Sequence, residues 1–357
     1  IGLPAQYFSA KSNPVGVLVP PPGGTAALST PCTMTASELR VVCTISNATL
    51  GVGASNITFA AGEFTTGLAV SANALGLTIS TSLEAASSGA SLEIVQGRVH
   101  SVSMAMAASD LWATKRTTSD TIFSFSTQGD LIIGLKLTVT LPADYFIAQS
   151  SPFGVLSSSA GFASLSCSIL SSISLNVLCT VGNATLPAGA HNISFVAGQL
   201  TTGSTLARDD VGLSVKTDVD RRSVFAPSLA ISAGQVQSAS MSMSVEDGFR
   251  FKSTTSSVSF NFTTQSDLFS GGSISIILPS FYFSLKAAPA GTLLPAAGSV
   301  GVTVLCTMVT LTLSIVCTTA GGTLPAGGPH RITFAAGEFT TGNVVAFSSS
   351  GLKIKTS

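Results

Sequence analysis

Apolar and polar residues alternate with period two along most of this chain. Residues 99–106, 121–126, 134–141, 191–195 and 212–216 each place Val, Ile, Leu, Met or Phe on one side and mostly Ser, Thr, Lys or Asn on the other. That is the pattern of a half-buried strand. β-branched residues are abundant, Pro and Gly punctuate the runs, and no long stretch has a helical period. The prediction is an all-β protein of short antiparallel strands.

The strand pattern is written three times. Phe59-Ala-Ala-Gly-Glu-Phe-Thr-Thr-Gly67 returns as Phe195-Val-Ala-Gly-Gln-Leu-Thr-Thr-Gly203 and as Phe334-Ala-Ala-Gly-Glu-Phe-Thr-Thr-Gly342. Leu3-Pro4 with Tyr7-Phe8 returns at Leu141-Pro142 with Tyr145-Phe146 and at Leu278-Pro279 with Tyr282-Phe283. A spacing of roughly 136 to 139 residues is too long for a solenoid unit and right for a small domain. About seven strands in such a module predict tandem immunoglobulin-like antiparallel β-sandwich modules. The boundaries read as module 1 over 1–82, a linker over 83–96, module 2 over 97–217, a linker over 218–235 and module 3 over 236–357. The linkers are similar in length, unlike in sequence, and neither is a long Gly/Ser coil, which predicts a fairly fixed relation between modules. The glycines of Ala-Gly-(Glu/Gln) and Thr-Thr-Gly are expected at a bulge and a positive-φ turn.

The copies differ in one respect. Modules 2 and 3 open with strands at 99–106 and 236–243, followed by Phe123/Phe125 and Phe260/Phe262. Ile1 aligns with Val139, so module 1 lacks its N-terminal strands, and an apolar groove with unpaired edges is expected there. Ile1 is no initiator and no signal peptide is present, so a processed or partial chain is expected. The chain carries three sets of later strands and two of the first pair. Exchange among identical chains would leave one groove empty per subunit. The expectation is a window onto a longer chain; the alternative is a donor outside these residues.

Composition narrows the classes. A net charge of +0 with 9% charged residues argues against nucleic acid and against electrostatic docking on anionic membrane. With 45% hydrophobic residues each module can bury a core, and a surface of Ser, Thr, Gly and Ala favours self-association. Residues 299–317 contain no charge and have the length of a membrane span. Val302-x-Val304-x-Cys306 and Leu311-x-Leu313-x-Ile315-x-Cys317 alternate, however, so the segment reads as a β-hairpin rather than a membrane insertion.

Six cysteines fall two per module: Cys32 and Cys43, Cys167 and Cys179, Cys306 and Cys317. Two short strands and a tight turn fit between each pair, which brings Cα atoms into disulfide range. Buried free thiols are the alternative. A metal site is less favoured because no His or third Cys recurs nearby, and one pair in the same place of every copy favours a bridge. Five Asn-x-Ser/Thr sequons begin at Asn47, Asn56, Asn183, Asn192 and Asn261, of which Asn47/Asn183 and Asn56/Asn192 are equivalent. Alternation points Asn56 outward. Disulfides with outward sequons predict an extracellular, secreted or cell-surface glycoprotein.

No catalytic, cofactor or metal constellation is visible. His191 and His330 are matched by Ser55, His100 by Gln237, and Glu63 and Glu338 by Gln199, so exposed, solvated side chains are expected at all of these positions. The Thr-Gln-x-Asp-Leu motif at 127–131 and 264–268 could hold calcium, but a lone Asp at a strand end is more often a turn residue. No nucleophile elbow marks a serine. Trp112 is the only Trp, which gives no stacking platform for sugars.

Leu-Pro-x-x-Tyr-Phe, a cysteine hairpin, Leu-Pro-Ala-Gly at 186–189 and 324–327, and Phe-x-Ala-Gly-x-(Phe/Leu)-Thr-Thr-Gly together resemble tandem modules of large extracellular proteins of microbial eukaryotes. They are similar in kind to subunits of secreted fibrils and flagellar hairs. The chain departs from antibody-type domains, whose cysteines are further apart and whose core Trp recurs. The resemblance implies an extracellular filament and no enzymatic activity. The expected function is a structural subunit that partners with copies of itself by head-to-tail packing and β-strand complementation, with covalent glycans. The rivals are a cell-surface adhesin or carbohydrate-binding stalk, and accessory domains of a secreted hydrolase.

Overall fold

The computed structural model describes the chain except residues 10–12, 22–27, 36–38, 47–51, 148–150, 172–173, 221–223, 285, 287, 296–301, 310–313, 321 and 346–350. It divides into two compact units, Ile1–Arg98 with Val219–Arg221, and Val99–Asp218 with Arg222–Ser357. The first unit takes in the residues of module 1 together with the segment expected as the first linker, and the second takes in those of modules 2 and 3. Apart from two short 3₁₀ turns, Ala108–Asp110 and Val245–Asp247, the described regular structure is β.

The first unit contains β1 (Phe8–Ser9), β2 (Val15–Val19), β3 (Leu28–Thr35), β4 (Arg40–Cys43), β5 (Asn56–Phe59), β6 (Thr65–Thr66), β7 (Asn73–Ile79) and β8 (Ser87–Ser91). Module 2 contains β9 (His100–Ala105), β10 (Thr121–Thr127), β11 (Lys136–Leu141), β12 (Phe153–Ser158), β13 (Gly161–Ser171), β14 (Leu175–Val181), β15 (Gly189–Phe195), β16 (Leu213–Thr217) and β17 (Val224–Ala226). Module 3 contains β18 (Val236–Ser242), β19 (Val258–Thr264), β20 (Ser273–Ile277), β21 (Phe283–Ser284), β22 (Ala290–Leu294), β23 (Val302–Val309), β24 (Ser314–Thr319), β25 (Pro329–Phe334), β26 (Thr340–Thr341) and β27 (Lys353–Thr356).

In module 2 the strands follow the order β17-β16-β11-β14-β13-β12-β15-β10-β9, every pair antiparallel. β9 lies beside β16 and β17, so the sheet wraps round an enclosed core. Phe123, Phe125, Val139, Leu156, Ile193 and Phe195 meet there with no more than 2% exposure. Alternation is the cause: β10 and β14 bury every second residue, which puts one face of each strand inward. Module 3 repeats this with β18-β19-β25-β22-β23-β24-β20-β27 and an equivalent core. Within the uncharged stretch at 299–317, the described residues form β23 and β24, paired antiparallel in register through Cys306 and Cys317. No described helix is long and apolar enough to cross a membrane.

The three cysteine pairs are disulfides between directly opposed residues of neighbouring strands, Cys32–Cys43, Cys167–Cys179 and Cys306–Cys317, with Cα separations of 3.9, 4.0 and 4.0 Å. Each pins one hairpin within a sheet rather than joining two sheets. The segments expected as linkers also carry structure: β8 pairs with β7, and β17 pairs with β16.

The recurring motifs clasp one another. Gly203 N–H donates to Tyr145 O at 2.9 Å and Ser204 N–H to Asp144 O at 3.1 Å, so Thr-Thr-Gly closes on Leu-Pro-x-x-Tyr-Phe. Gly67 and Gly342 make the matching bonds to Tyr7 and Tyr282 at 2.8 and 2.9 Å. The turn residue below each clasp, Gln6, Asp144 or Phe281, has φ of 66°, 59° or 67°. The glycine expectation is therefore corrected. Thr-Thr-Gly needs glycine for close approach, since a Cβ on Gly67, Gly203 or Gly342 would lie 1.7–1.8 Å from a carbonyl oxygen. The left-handed φ belongs instead to Ala-Gly-(Glu/Gln), at +83°, +82° and +81° for Gly62, Gly198 and Gly337.

Candidate assembly surfaces

β5 differs from its counterparts in what lies beside it. In module 2, β15 sits between β12 and β10, with Phe195, Ile193 and His191 opposite Thr121, Phe123 and Phe125. In module 3, β25 sits likewise between β22 and β19, with Phe334, Ile332 and His330 opposite Val258, Phe260 and Phe262. β5 pairs with β2 through the same register, Phe59 with Gly16 and Ile57 with Leu18, but no described strand pairs with its other edge. The consequence is exposure. Ile57 is 37% exposed and Phe59 is half-buried, whereas Ile193, Ile332, Phe195 and Phe334 are all 0% exposed. The buried cluster of this unit is correspondingly small: Cys32, Met34, Leu39 and Val41. Ser55, at the position of the two histidines, encloses its Oγ without a hydrogen-bond partner.

The second surface is the junction between modules 2 and 3. Asp130 and Asp267, the acidic residues of Thr-Gln-x-Asp-Leu, each use Oδ1 to accept the N–H inside Leu-Pro-Ala-Gly, from Ala188 at 2.8 Å and from Ala326 at 2.6 Å. The motif is thus a turn clasp. Asp267 does more: its Oδ2 accepts the N–H of Arg116 in module 2 at 2.8 Å, and its backbone carbonyl accepts from Thr114 Oγ1 at 3.3 Å. The connecting segment is bound as well, since Ile231 bridges Leu206, and Ser232 exchanges bonds with Leu111 and Ala113 at 2.9 and 2.8 Å. Modules 2 and 3 are therefore joined by named hydrogen bonds. Asp130, without such a partner, is exposed, whereas Asp267 is half-buried.

The solvated-side-chain expectation fails at several positions. His191 and His330 are 2% and 1% exposed and lie against Phe125 and Phe262, ring centroids 5.6 and 5.5 Å apart. Burial lowers both imidazole pKa values, because the core resists charge. They were misread because each closes an otherwise polar-looking strand start. Glu63 Oε2, Gln199 Oε1 and Glu338 Oε2 each accept the N–H that opens the neighbouring strand, from Val15, Phe153 and Ala290 at 2.7, 2.8 and 2.7 Å. Glu and Gln interchange because either supplies the needed acceptor oxygen. Glu338 also binds Lys286 Nζ at 2.7 Å, and that contact, with the Ala290 N–H, holds its carboxyl below the usual range. His100 is exposed, as expected.

One constellation went unnoticed in the sequence, Asp-x₄-Lys-x₂-Thr-Ser at Asp110 and again at Asp247. Asp110 is 1% exposed and accepts from the N–H and hydroxyl of Thr118 and the N–H of Ser119, at 3.0, 2.7 and 2.9 Å, with Lys115 Nζ 3.5 Å away. Burial pushes its carboxyl up, but these donors outweigh burial and hold it below its ordinary value. Asp247 accepts from Thr255 and Ser256 in the same way. Each anchors the loop leading into β10 or β19. The exact recurrence of Asp, Lys, Thr and Ser at fixed spacing was the available signal.

Of the sequon residues, Asn56, Asn183 and Asn192 are exposed, and Asn47 lies outside the described residues. Asn183 Oδ1 accepts from Ser164 N–H at 2.9 Å, and Asn261 is half-buried with its Oδ1 accepting from Arg331 at 2.8 Å. Among the described residues no group of three or more His, Cys, Asp or Glu is placed to hold a metal ion. Compared with known proteins, the sequence matches no family model and no curated protein. Three disulfides and no described membrane-length helix are compatible with a secreted or extracellular protein.

Proposed function

We propose that this chain is a structural subunit of an extracellular filament, assembled by head-to-tail packing and β-strand complementation of its modules. One observation carries the reading. No described strand pairs with the outer edge of β5, where Ile57 is exposed and Phe59 half-buried, whereas their counterparts are sealed beneath a neighbouring strand. An unpaired, apolar sheet edge is a site for strand addition. The bonded joint between modules 2 and 3 supports the same reading, since a filament needs modules that hold their relation. Exposed Asn56, Asn183 and Asn192 would carry glycans on outward faces. Electron microscopy of the native protein at physiological salt tests the proposal. Uniform filaments with an axial repeat commensurate with the modules are expected; dispersed monomers would sink it.

A second reading, an adhesin or carbohydrate-binding stalk, has one observation in its favour. Phe249, Phe251 and Phe281 of module 3 are 65%, 63% and 65% exposed and all bond through their backbones to residues 341–343. The cluster does not recur, as module 2 has Trp112, Thr114 and Asp144 at those positions. Glycan binding by the dispersed protein would bring this reading forward.

A further inference from the structure

We infer that the open edge of β5 takes an extended polypeptide strand of the pattern (Thr/Val)-x-Phe-x-Phe-x-Thr, the first strand of a module of this same kind, antiparallel to β5. The inference rests on the strand-complementation reading above and specifies what does the complementing. Its warrant is internal. The same site is filled twice in this molecule, by β10 on β15 and by β19 on β25, in one register. Each time a Thr or Val stands opposite the terminal Phe of the receiving strand, one Phe opposite its Ile, and the second Phe opposite the His. The first inserted Phe meets the receiving Phe edge to face, ring centroids 6.2 and 6.0 Å apart, and all four inserted Phe are at most 2% exposed.

β5 presents the same receiving sequence, Ile57 and Phe59, on the same partner register with β2. The inserted strand therefore places its Thr or Val opposite Phe59, its first Phe opposite Ile57 and its second opposite Ser55. Here the site differs from its counterparts. Ser55 is smaller than His, and its Oγ is enclosed without a hydrogen-bond partner. Main-chain bonds along β5 fix register, while the two aromatic side chains supply the apolar burial and the selectivity. An alternating strand with polar residues at both aromatic positions would bring the hydrogen bonds without the burial.

The test uses the whole chain and a labelled peptide of residues 119–128, which carries Phe123 and Phe125. Fluorescence anisotropy reads binding, and hydrogen exchange locates it. Saturable binding with new amide protection in residues 56–59 is expected, and the peptide with Phe123→Ser and Phe125→Ser should bind at least ~100-fold more weakly. Ile57→Lys in the chain, a partly exposed position, should abolish uptake without changing exchange in β15 or β25. Absence of saturable binding, equal binding of the two peptides, or protection confined to other strands would overturn the inference. Filaments that form while β5 refuses the peptide would overturn it and leave the filament reading standing; uptake by a protein that never forms filaments would do the reverse.

Discussion

Gly203→Ala should be among the most damaging single-methyl additions to this protein. A Cβ there would lie 1.7 Å from Asp144 O and 2.7 Å from its carbonyl carbon, where ordinary contact begins at 3.4 Å. The obstacle is backbone, so the two loops must part. Parting them breaks Gly203 N–H to Tyr145 O and Ser204 N–H to Asp144 O. Each bond contributes about 0.5–1.5 kcal/mol net, and groups left unpaired cost about 1–3 kcal/mol more. The movement also pulls on Tyr145 and Phe146, which are 0% and 1% exposed. A loss of about 3–5 kcal/mol follows. Gly198→Ala in the same module is the control. Its φ of +82° costs an L-residue about 1–2 kcal/mol, and its nearest neighbour is the movable head of Arg116 at 3.3 Å. Trp112, the only Trp, accepts a hydrogen bond from Thr202 Oγ1 through its carbonyl oxygen and reports on this region by fluorescence during urea unfolding. Gly203→Ala must lower the midpoint well below Gly198→Ala. Equal midpoints, or the opposite order, would refute the close-approach argument.

Three further outcomes are expected. Glu63→Gln should cost the first unit less than Glu63→Ala in thermal unfolding, because Gln keeps an acceptor oxygen for Val15 N–H and Ala, which loses it, should cost about 1 kcal/mol more. His191 and His330 have folded pKa values below that of the unfolded chain, so their contribution is complete above about pH 6.5 and is lost as pH falls through the folded values. Urea midpoints of modules 2 and 3 should drop between pH 7.5 and 5, and His191→Gln should flatten the profile of module 2; an unchanged slope would remove the histidine from the account. Asp267→Ala removes the acceptor shared by Ala326 and Arg116, so residual dipolar couplings of modules 2 and 3 should cease to fit a single alignment tensor. One tensor fitting parent and variant alike would show that the carboxylate does not hold the joint.

Most of the fold was legible because period-two alternation maps directly onto a sheet with one buried face. The cysteine hairpins were legible too, since strand geometry leaves opposed cysteines few alternatives. What escaped was the pairing of motifs with one another. Repetition marks Thr-Thr-Gly and Leu-Pro-x-x-Tyr-Phe as important, yet nothing local states that one closes on the other across some sixty residues. The same holds for Asp130 with Ala188. The histidines escaped for a different reason: exchange of His for Ser between copies looks like surface drift, whereas His191 and His330 lie in the core against Phe125 and Phe262. The open edge of β5 was readable as a missing strand pair. That Ile57 and Phe59 stand uncovered, and that β2 still holds them in register, required the structure.

The joint between modules 2 and 3 depends little on which side chains its segments carry. What the Asp267 carboxylate grips in module 2 is a main-chain N–H. Any residue except proline at position 116 supplies that donor. The connecting segment likewise docks through the backbone of residues 231 and 232. A joint written in main-chain hydrogen bonds, one carboxylate and one threonine hydroxyl constrains few side chains of modules 2 and 3. Strand addition at β5 would obey the same economy, with backbone bonds setting position and two aromatic side chains deciding what is admitted.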